Sequence, residues 1–299
     1  MKHTKTVWRF RNIAAILAAM ILFLLVSGAL AYIAQFSKRM QTPEAWCYDE
    51  AQFSGLCTKP VSFSNRDGEP LAGWLYSADD TAPKGLVVLA HGMGYGHRAY
   101  LNVAAYFAGR GYLVFAYDMT GCDASGGASP RGVPQALLDL DAALDAAEAL
   151  PETADLPVFL FGHSLGAYAC CAVLEERSEV RAVAALAGFD STAALLRARF
   201  GIAGTLLTPG AVLWERIRFG AAAGRTSLRG FAASTAQVLI VNSGDDPEVP
   251  VSCGLDRYAE VYGDDPRFRF LRLDGKGHGG VFTGEVADTC LALYDSCCK

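Results

Sequence analysis

Several common binding motifs are missing from this sequence of 299 residues. There is no C-x-x-C pair and no histidine at ligand spacing beside a cysteine, so we expect no zinc site. A glycine run at 92–96 has His97 where a dinucleotide-binding loop has its last glycine, and no phosphate-binding lysine motif is present. No low-complexity tract occurs either, which excludes a mainly disordered chain.

Acidic residues are absent from the first 39 positions, whereas the rest of the chain has more acid than base. The whole sequence has 26 Lys and Arg against 31 Asp and Glu, and its N-terminal bases are Lys2, Lys5, Arg9, Arg11, Lys38 and Arg39. A body with an acidic excess lacks the cationic face that phosphates require. We therefore expect no nucleic-acid partner.

Charged residues are also absent between Asn12 and Ser37, where the sequence is almost continuously apolar. At ~1.5 Å per residue, a helix of this length exceeds the ~30 Å hydrocarbon layer of a membrane. The A-x-A pattern at 29–31 is compatible with a cleaved signal peptide, but the run stays apolar through Phe36, which favours an uncleaved anchor. More basic residues precede the run than follow it, so the positive-inside rule predicts a single-pass protein with its body outside the cytoplasm.

All nine cysteines follow this apolar run. Because the number is odd, at least one thiol is free or pairs with another chain. Cys47 and Cys57 are candidates for a bridge in an oxidising compartment, whereas Cys170 and Cys171 fit small apolar positions in a helix.

Apolar runs and helical patterns alternate along the rest of the chain. Residues 61–77 have the pattern of a hairpin with a turn at 66–68. Runs typical of buried strands occupy 85–90, 112–117, 158–161, 180–186, 237–242 and 267–273, and helical patterns occupy 98–110, 133–149 and 280–297. This alternation predicts an α/β fold with a mostly parallel central sheet and helices on both faces.

The alternation is interrupted only between 190 and 235, where we expect an inserted helical cap. The predicted organisation is a cytoplasmic tail at 1–11, a transmembrane signal-anchor helix at 12–37, a linker at 38–59, an α/β core at 60–189 and 236–299, and the cap at 190–235.

Ser164 is the candidate nucleophile. It is the centre of a G-x-S-x-G pentapeptide, residues 162–166, which follows an apolar strand and precedes a helix of small residues. A sharp turn between strand and helix holds such a serine in strained geometry and exposes its hydroxyl, while the two glycines let the elements pass closely. A purely structural use of the motif is the weaker interpretation in that context.

A serine hydroxyl needs a base, and histidine suits neutral pH. Elimination among the five histidines leaves His278, which follows the last strand in a glycine-rich loop. The carboxylate that orients it is expected in the turn after strand 237–242. We favour Asp246 because Pro247 rigidifies the chain there; Asp245 fits ordinary turn chemistry, and Asp190 is the reserve candidate.

The oxyanion of an acyl-transfer intermediate requires at least two backbone N–H donors. Leu165 follows the nucleophile directly and supplies the first N–H. The loop after strand 85–90 supplies the second, which we expect to be that of Met93. This chemistry requires neither a cofactor nor a metal.

Four segments follow one another along the chain: HGMGYGHRAY, GHSLG, SGDDPEVP and GKGHGG. In these segments and their order the sequence resembles the α/β-hydrolase superfamily, in its monoacylglycerol lipase and serine aminopeptidase-like branch. A fifth segment, DMTGCDASGG at 118–127, resembles a D-x-R-G-H-G-x-S-x-G motif of that family, but Thr120, Cys122 and Asp123 depart from it. These departures weaken any inference about the substrate and leave the three candidate triad residues in place. Cys122 has no evident base, so it is a poor second nucleophile.

The cap gives the only indication of substrate. It has an excess of arginine over acid, interspersed with apolar residues, which fits either two amphipathic helices with a solvated face or a surface that meets anionic lipid headgroups. The sequence therefore predicts a membrane-anchored serine hydrolase of carboxylic esters, including lipid or monoacylglycerol esters. The alternatives are a peptidase or amide hydrolase of the same fold and a catalytically silent binding scaffold.

Overall fold

Eight strands form one sheet in the computed structural model, which describes residues 2–78 and 82–298 and the side chains from position 11 onward. Positions 1, 79–81 and 299, which the sequence analysis assigns to the tail and the core, lie outside the described residues. The strands are β1 (Cys57–Ser64), β2 (Pro70–Ser77), β3 (Leu86–Ala90), β4 (Leu113–Tyr117), β5 (Val158–His163), β6 (Val180–Leu186), β7 (Gln237–Ser243) and β8 (Phe268–Leu273).

The order across the sheet is β1-β2-β4-β3-β5-β6-β7-β8. Strands β1 and β2 pair antiparallel with each other, and β2 pairs antiparallel with β4. All pairs from β4 through β3 to β8 are parallel, so the carboxyl ends of these strands lie at one edge of the sheet. The prediction of a mostly parallel sheet is therefore confirmed, and the central strands are buried on both faces as their continuous apolar runs indicated.

Helices cover both faces of the sheet. Buried side chains of α2 (Leu101–Ala108) and α8 (Gly284–Cys297) form one core with one face. Buried side chains of α3 (Val133–Glu148), α4 (Leu165–Ala172), α6 (Ser227–Ala233) and α7 (Leu255–Tyr262) form a second core with the other. Helix α7 was not predicted, because a single amphipathic element of eight residues carries little periodic signal.

The N-terminal helix α1 spans Lys2–Gln35, and its segment Arg11–Gln35 is long and apolar enough to cross a membrane. Most of this segment is exposed, but Tyr32 and Phe36 lie in the same core as α3 and α4. Arg39 then donates hydrogen bonds to the carbonyl oxygens of Gly127 and Ser125. The end of the apolar segment is therefore built into the folded body.

The segment expected to form a cap contains α5 (Thr192–Phe219) and α6. Helix α5 is two helices that meet at Gly201, whose φ of 56° interrupts the helical backbone. A Cβ atom on Gly204 would lie 2.0 Å from the carbonyl oxygen of Leu196, so the two halves fold back on each other. We call the part of this turn at 197–202 the hairpin tip.

All nine cysteines are free in the structure. The bridge considered between Cys47 and Cys57 is therefore not formed, whereas Cys170 and Cys171 are buried in α4 among small side chains, as expected.

Candidate active site

Ser164 lies at the turn between β5 and α4, at the carboxyl edge of the sheet. Its φ of 55° and ψ of −116° are strained for a residue that has a Cβ. The backbone N–H of Ser164 donates to the carbonyl oxygen of Leu186 on the neighbouring strand, at 2.8 Å. The surrounding structure thus holds the serine in this geometry, and its side chain remains only slightly exposed.

The two glycines of the pentapeptide are required by close backbone contacts. A Cβ on Gly162 would lie 2.5 Å from the carbonyl oxygen of Gly166, and one on Gly166 would lie 2.0 Å from that of Ala90. Any side chain at either position would push α4 away from β5 or β3. The interpretation of residues 162–166 as a tight strand-to-helix turn therefore rests on contacts as well as on the motif.

The structure brings the three candidate triad residues together. The Nε2 atom of His278 lies 2.9 Å from the Oγ atom of Ser164, and its Nδ1 atom lies 2.7 Å from the Oδ2 atom of Asp246. With the proton on Nδ1, the imidazole donates to the carboxylate, and Nε2 is free to accept the serine proton. Gly275 and Gly277 both adopt positive φ, which lets the loop turn back over the sheet edge.

The Asp246 carboxylate is buried and carries its charge because of its hydrogen bonds. Its Oδ1 atom accepts from the backbone N–H groups of Glu248 at 2.8 Å and Val249 at 2.9 Å. Burial raises the pKa of this carboxyl, but the hydrogen bonds from His278 and the two N–H groups outweigh burial and leave the pKa lowered. Asp246 therefore stays ionised and fixes the tautomer of His278.

The competing acids are placed elsewhere. Asp245 accepts a hydrogen bond from the hydroxyl of Ser243 within its own turn, as the sequence analysis expected. Asp190, the reserve candidate, accepts from the backbone N–H of Leu228 and forms an ion pair with Arg257 at 3.3 Å. Neither has a hydrogen bond to His278 in the described part of the chain.

Cys122 is buried, and its surroundings do not activate its thiol. Burial, and after it the charges of Asp118 and Asp139, raise the pKa of Cys122 to about 12. A reactive cysteine has a lowered pKa, so this environment is the opposite of what a second nucleophile needs.

The loop after β3 lies against the serine. A Cβ on Gly92 would be 3.4 Å from the Cβ of Ser164, and Met93 lines one small cavity together with Leu165. Leu165 is the first residue of α4, so its N–H is among those that have no partner inside the helix. The two predicted oxyanion donors thus lie on segments that meet beside Ser164, and their role stays a prediction.

His163 connects three loops of the site, which the sequence analysis did not anticipate. Its Nε2–H donates to the backbone carbonyl oxygen of His278 at 2.9 Å, and its Nδ1 accepts from the hydroxyl of Tyr100 at 2.8 Å. The Tyr100 oxygen in turn accepts from the N–H of Gly92 at 3.0 Å. Burial, and after it the nearby His278, lower the pKa of His163 to about 4, so the ring is neutral.

The remaining histidines of the body have structural partners. His91 donates from Nδ1 to the carbonyl oxygen of Gly92 and accepts at Nε2 from the N–H of Met119. His97 donates to Asp118 at 2.9 Å and stacks on Trp74. These contacts hold the glycine-rich loop 92–96 between two anchored histidines.

Comparisons with known proteins agree with this architecture. Residues 81–208 match the family model described as serine aminopeptidase, S33. No curated protein sequence matches the chain significantly.

Solved structures share the fold at low sequence identity. Esterase Pf2001 of Pyrococcus furiosus superposes with a TM-score of 0.67 at 19% identity, over 88% of this chain and 99% of that chain. A puromycin-hydrolyzing peptidase of Mycobacterium tuberculosis gives 0.62 at 21%, over 80% of this chain and 39% of that chain. The esterase domain of a Rhodothermus marinus protein gives 0.54 at 22%, over 81% of this chain and 98% of that one. Sheet topology and structural similarity together show that the chain has the α/β-hydrolase fold, and residues 81–208 match the serine aminopeptidase family model.

Proposed function

We propose that the protein is a membrane-anchored serine hydrolase that cleaves carboxylic esters through an acyl-enzyme intermediate. One observation carries the proposal: a continuous line of hydrogen bonds runs from the Ser164 hydroxyl through both nitrogens of His278 to the Asp246 carboxylate. A hydroxyl, an imidazole and a buried carboxylate in this order are the parts that nucleophilic acyl transfer requires.

In the proposed reaction, Ser164 attacks the acyl carbonyl carbon while Nε2 of His278 takes the hydroxyl proton. The charge that develops on the carbonyl oxygen is stabilised by the N–H groups of Met93 and Leu165. His278 then gives its proton to the leaving alcohol, and the ester bond breaks. Asp246 stabilises the imidazolium during both transfers.

Deacylation repeats these steps with water as the nucleophile. His278 removes a proton from the water, which attacks the acyl carbonyl, and the proton returns to Ser164 as the acid leaves. The second half of the reaction therefore uses the same residues as the first.

The proposed localisation follows from α1. Its segment Arg11–Gln35 has the length and composition of a membrane span and lies exposed beside the body. The charge bias around it supports an orientation with the body outside the cytoplasm. An anchored enzyme meets lipid-derived esters at the membrane surface, which supports a lipid or monoacylglycerol ester as the substrate.

The proposal is tested by hydrolysis of p-nitrophenyl esters of graded acyl length by the full-length protein. We expect the wild type and the exposed-serine control Ser62→Ala to turn over the esters, and Ser164→Ala to lose ~1,000-fold or more in kcat. Equal activity of wild type and Ser164→Ala overturns the proposal.

The same preparation separates the alternative reactions. Aminoacyl p-nitroanilides report amide hydrolysis, which the description of the matching family and one structural neighbour support. Faster cleavage of the amides than of every ester assigns the protein as an amide hydrolase. Folded wild type that cleaves neither class supports the binding scaffold.

A further inference from the structure

The second half of α5 has a buried face of small and polar residues and an exposed face of large aliphatic ones. Gly204, Thr208, Ala211 and Glu215 are buried, at spacings that place them on one side of a helix. The opposite side exposes four large aliphatic side chains: Ile202 (81% exposed), Leu206 (49%), Leu213 (49%) and Ile217 (70%). Nothing in the described part of the chain covers this stripe, which a soluble protein would present to water.

The side of α5 between its buried face and the exposed stripe packs closely against α1. A Cβ on Gly28 would lie 2.1 Å from the carbonyl oxygen of Leu207, and one on Gly210 would lie 2.0 Å from that of Leu25. Such near contact of backbones through small residues is typical of helix pairs in membranes. Since Tyr32 of α1 also contacts Glu215, the two helices run in the same direction.

The contacts locate α5 relative to the membrane. Tyr32 is buried in the body, so the length of α1 available to cross a bilayer runs from Arg11 to Ala31, about 30 Å at ~1.5 Å per residue. That matches the ~30 Å hydrocarbon thickness. Gly28 then lies inside the hydrocarbon layer, and Ile202, five residues before Leu207 on the parallel helix, lies roughly 7 Å deeper.

Of the six arginines of the cap, three form ion pairs, and Arg197, Arg199 and Arg216 form none within residues 11–78 and 82–298. Three pair with carboxylates outside the cap: Arg218 with Asp67, Arg225 with Glu176 and Arg229 with Glu175. Arg197 and Arg199, which belong to the hairpin tip, are exposed and have no ion pair where side chains are described, at 11–78 and 82–298. Long arginine side chains can extend from an apolar depth to lipid phosphates.

We propose that the hairpin tip and the adjoining part of the exposed stripe, Ile202 and Leu206, form a second membrane element, inserted beside α1 into the leaflet nearest the body. The inference rests on the proposed anchoring by α1. The occupant is the lipid acyl chains, because Ile202 and Leu206 lie along the part of α1 that itself requires a hydrocarbon environment. Arg197 and Arg199 then bind lipid phosphates at the surface of that leaflet.

The test uses tryptophan emission of the full-length protein in phosphatidylcholine and phosphatidylglycerol vesicles whose acyl chains are brominated and quench nearby indoles. Three variants each add one tryptophan at an exposed aliphatic position: Ile202→Trp on the hairpin tip, Leu22→Trp on α1 and Val261→Trp on α7. The emission of the wild type, which has four tryptophans, is subtracted from each.

We expect the added emission of Ile202→Trp and Leu22→Trp to lose most of its intensity in brominated vesicles, and that of Val261→Trp to lose almost none. Quenching of Leu22→Trp without quenching of Ile202→Trp overturns the inference and leaves the anchoring intact. In that case, shielding of Ile202→Trp from aqueous acrylamide indicates a protein partner such as a second copy, and access to acrylamide indicates exposure to water. No quenching of Leu22→Trp overturns the anchoring itself.

Discussion

The imidazole of His163 donates a 2.9 Å hydrogen bond to the backbone carbonyl oxygen of His278. The residue that precedes the candidate nucleophile in the chain therefore holds the loop of the candidate base. Because His163 also accepts from Tyr100, whose hydroxyl binds the loop at Gly92, the nucleophile, base and oxyanion segments share one hydrogen-bonded connection.

This connection makes His163 a positioning residue, since it acts through His278 and not on substrate. We expect His163→Leu to lower kcat for an ester by as much as ~100-fold with little change in KM, because a small displacement of a catalytic group has an effect of that size. His163→Gln keeps an N–H donor for the carbonyl of His278 and should recover part of the loss. Equal kcat for wild type and His163→Leu would contradict this role.

The lowered pKa of His163 also predicts a pH dependence of stability. The pKa is about 4 in the folded protein, against 6.5 for an unperturbed histidine. Between pH 4 and 6.5 the ring of His163 is protonated in the unfolded chain and neutral in the folded protein. The stability that the neutral ring contributes is therefore present above pH 6.5 and is lost as the pH falls to 4. We expect the free energy of unfolding of the wild type to fall by about 3 kcal/mol relative to His163→Gln over this range, measured by denaturant titration in detergent.

Glu215 predicts the opposite dependence at the contact between α1 and α5. Burial raises its pKa to about 7, although hydrogen bonds from Tyr32 and Thr192 lower it. Between pH 4.5 and 7 the carboxyl of Glu215 is therefore protonated in the folded protein and ionised in the unfolded chain. The stability of this contact is present below pH 4.5 and is lost as the pH rises through 7. Relative to Glu215→Gln, the wild type should lose about 3 kcal/mol of unfolding free energy between these values.

The exposed substitution Glu260→Gln is the matched control for this experiment. It should leave the slope of stability against pH unchanged. A slope that is the same in wild type and Glu215→Gln would show that Glu215 is ionised in the folded protein.

Gly166→Ala should damage the site through backbone contact alone. Its Cβ would meet the carbonyl oxygen of Ala90, the residue before the loop that carries Met93, at 2.0 Å. Such overpacking costs ~1–3 kcal/mol or more, and we expect lower thermal stability together with loss of esterase activity. Gly279→Ala, beside His278 but with open space around its Cβ, should leave stability nearly unchanged. Equal melting temperatures of the two variants would contradict this account.

The sequence predicts the sheet well, because continuous apolar runs are a short-range pattern that identifies the buried strands. The three candidate triad residues lie in the turns and loops that follow such strands and come together in the structure, and their roles remain predictions. The division into domains and the membrane orientation remain predictions.

Other features depend on contacts that no local pattern contains. The hydrogen bond of Tyr32 to Glu215 joins residues 183 positions apart, and the fold-back of α5 depends on the φ of Gly201 within an otherwise helical pattern. The role of His163 could not be read from the sequence, because its link to the loop of His278 exists only once both segments are folded.

Covalent labelling of the full-length protein with a fluorophosphonate, followed by peptide mass spectrometry, tests the central claim most directly. The account predicts one adduct per chain, on Ser164, and its loss in folded Ser164→Ala and His278→Ala. An adduct on another residue of the wild type, or a folded wild type that remains unlabelled, would contradict it.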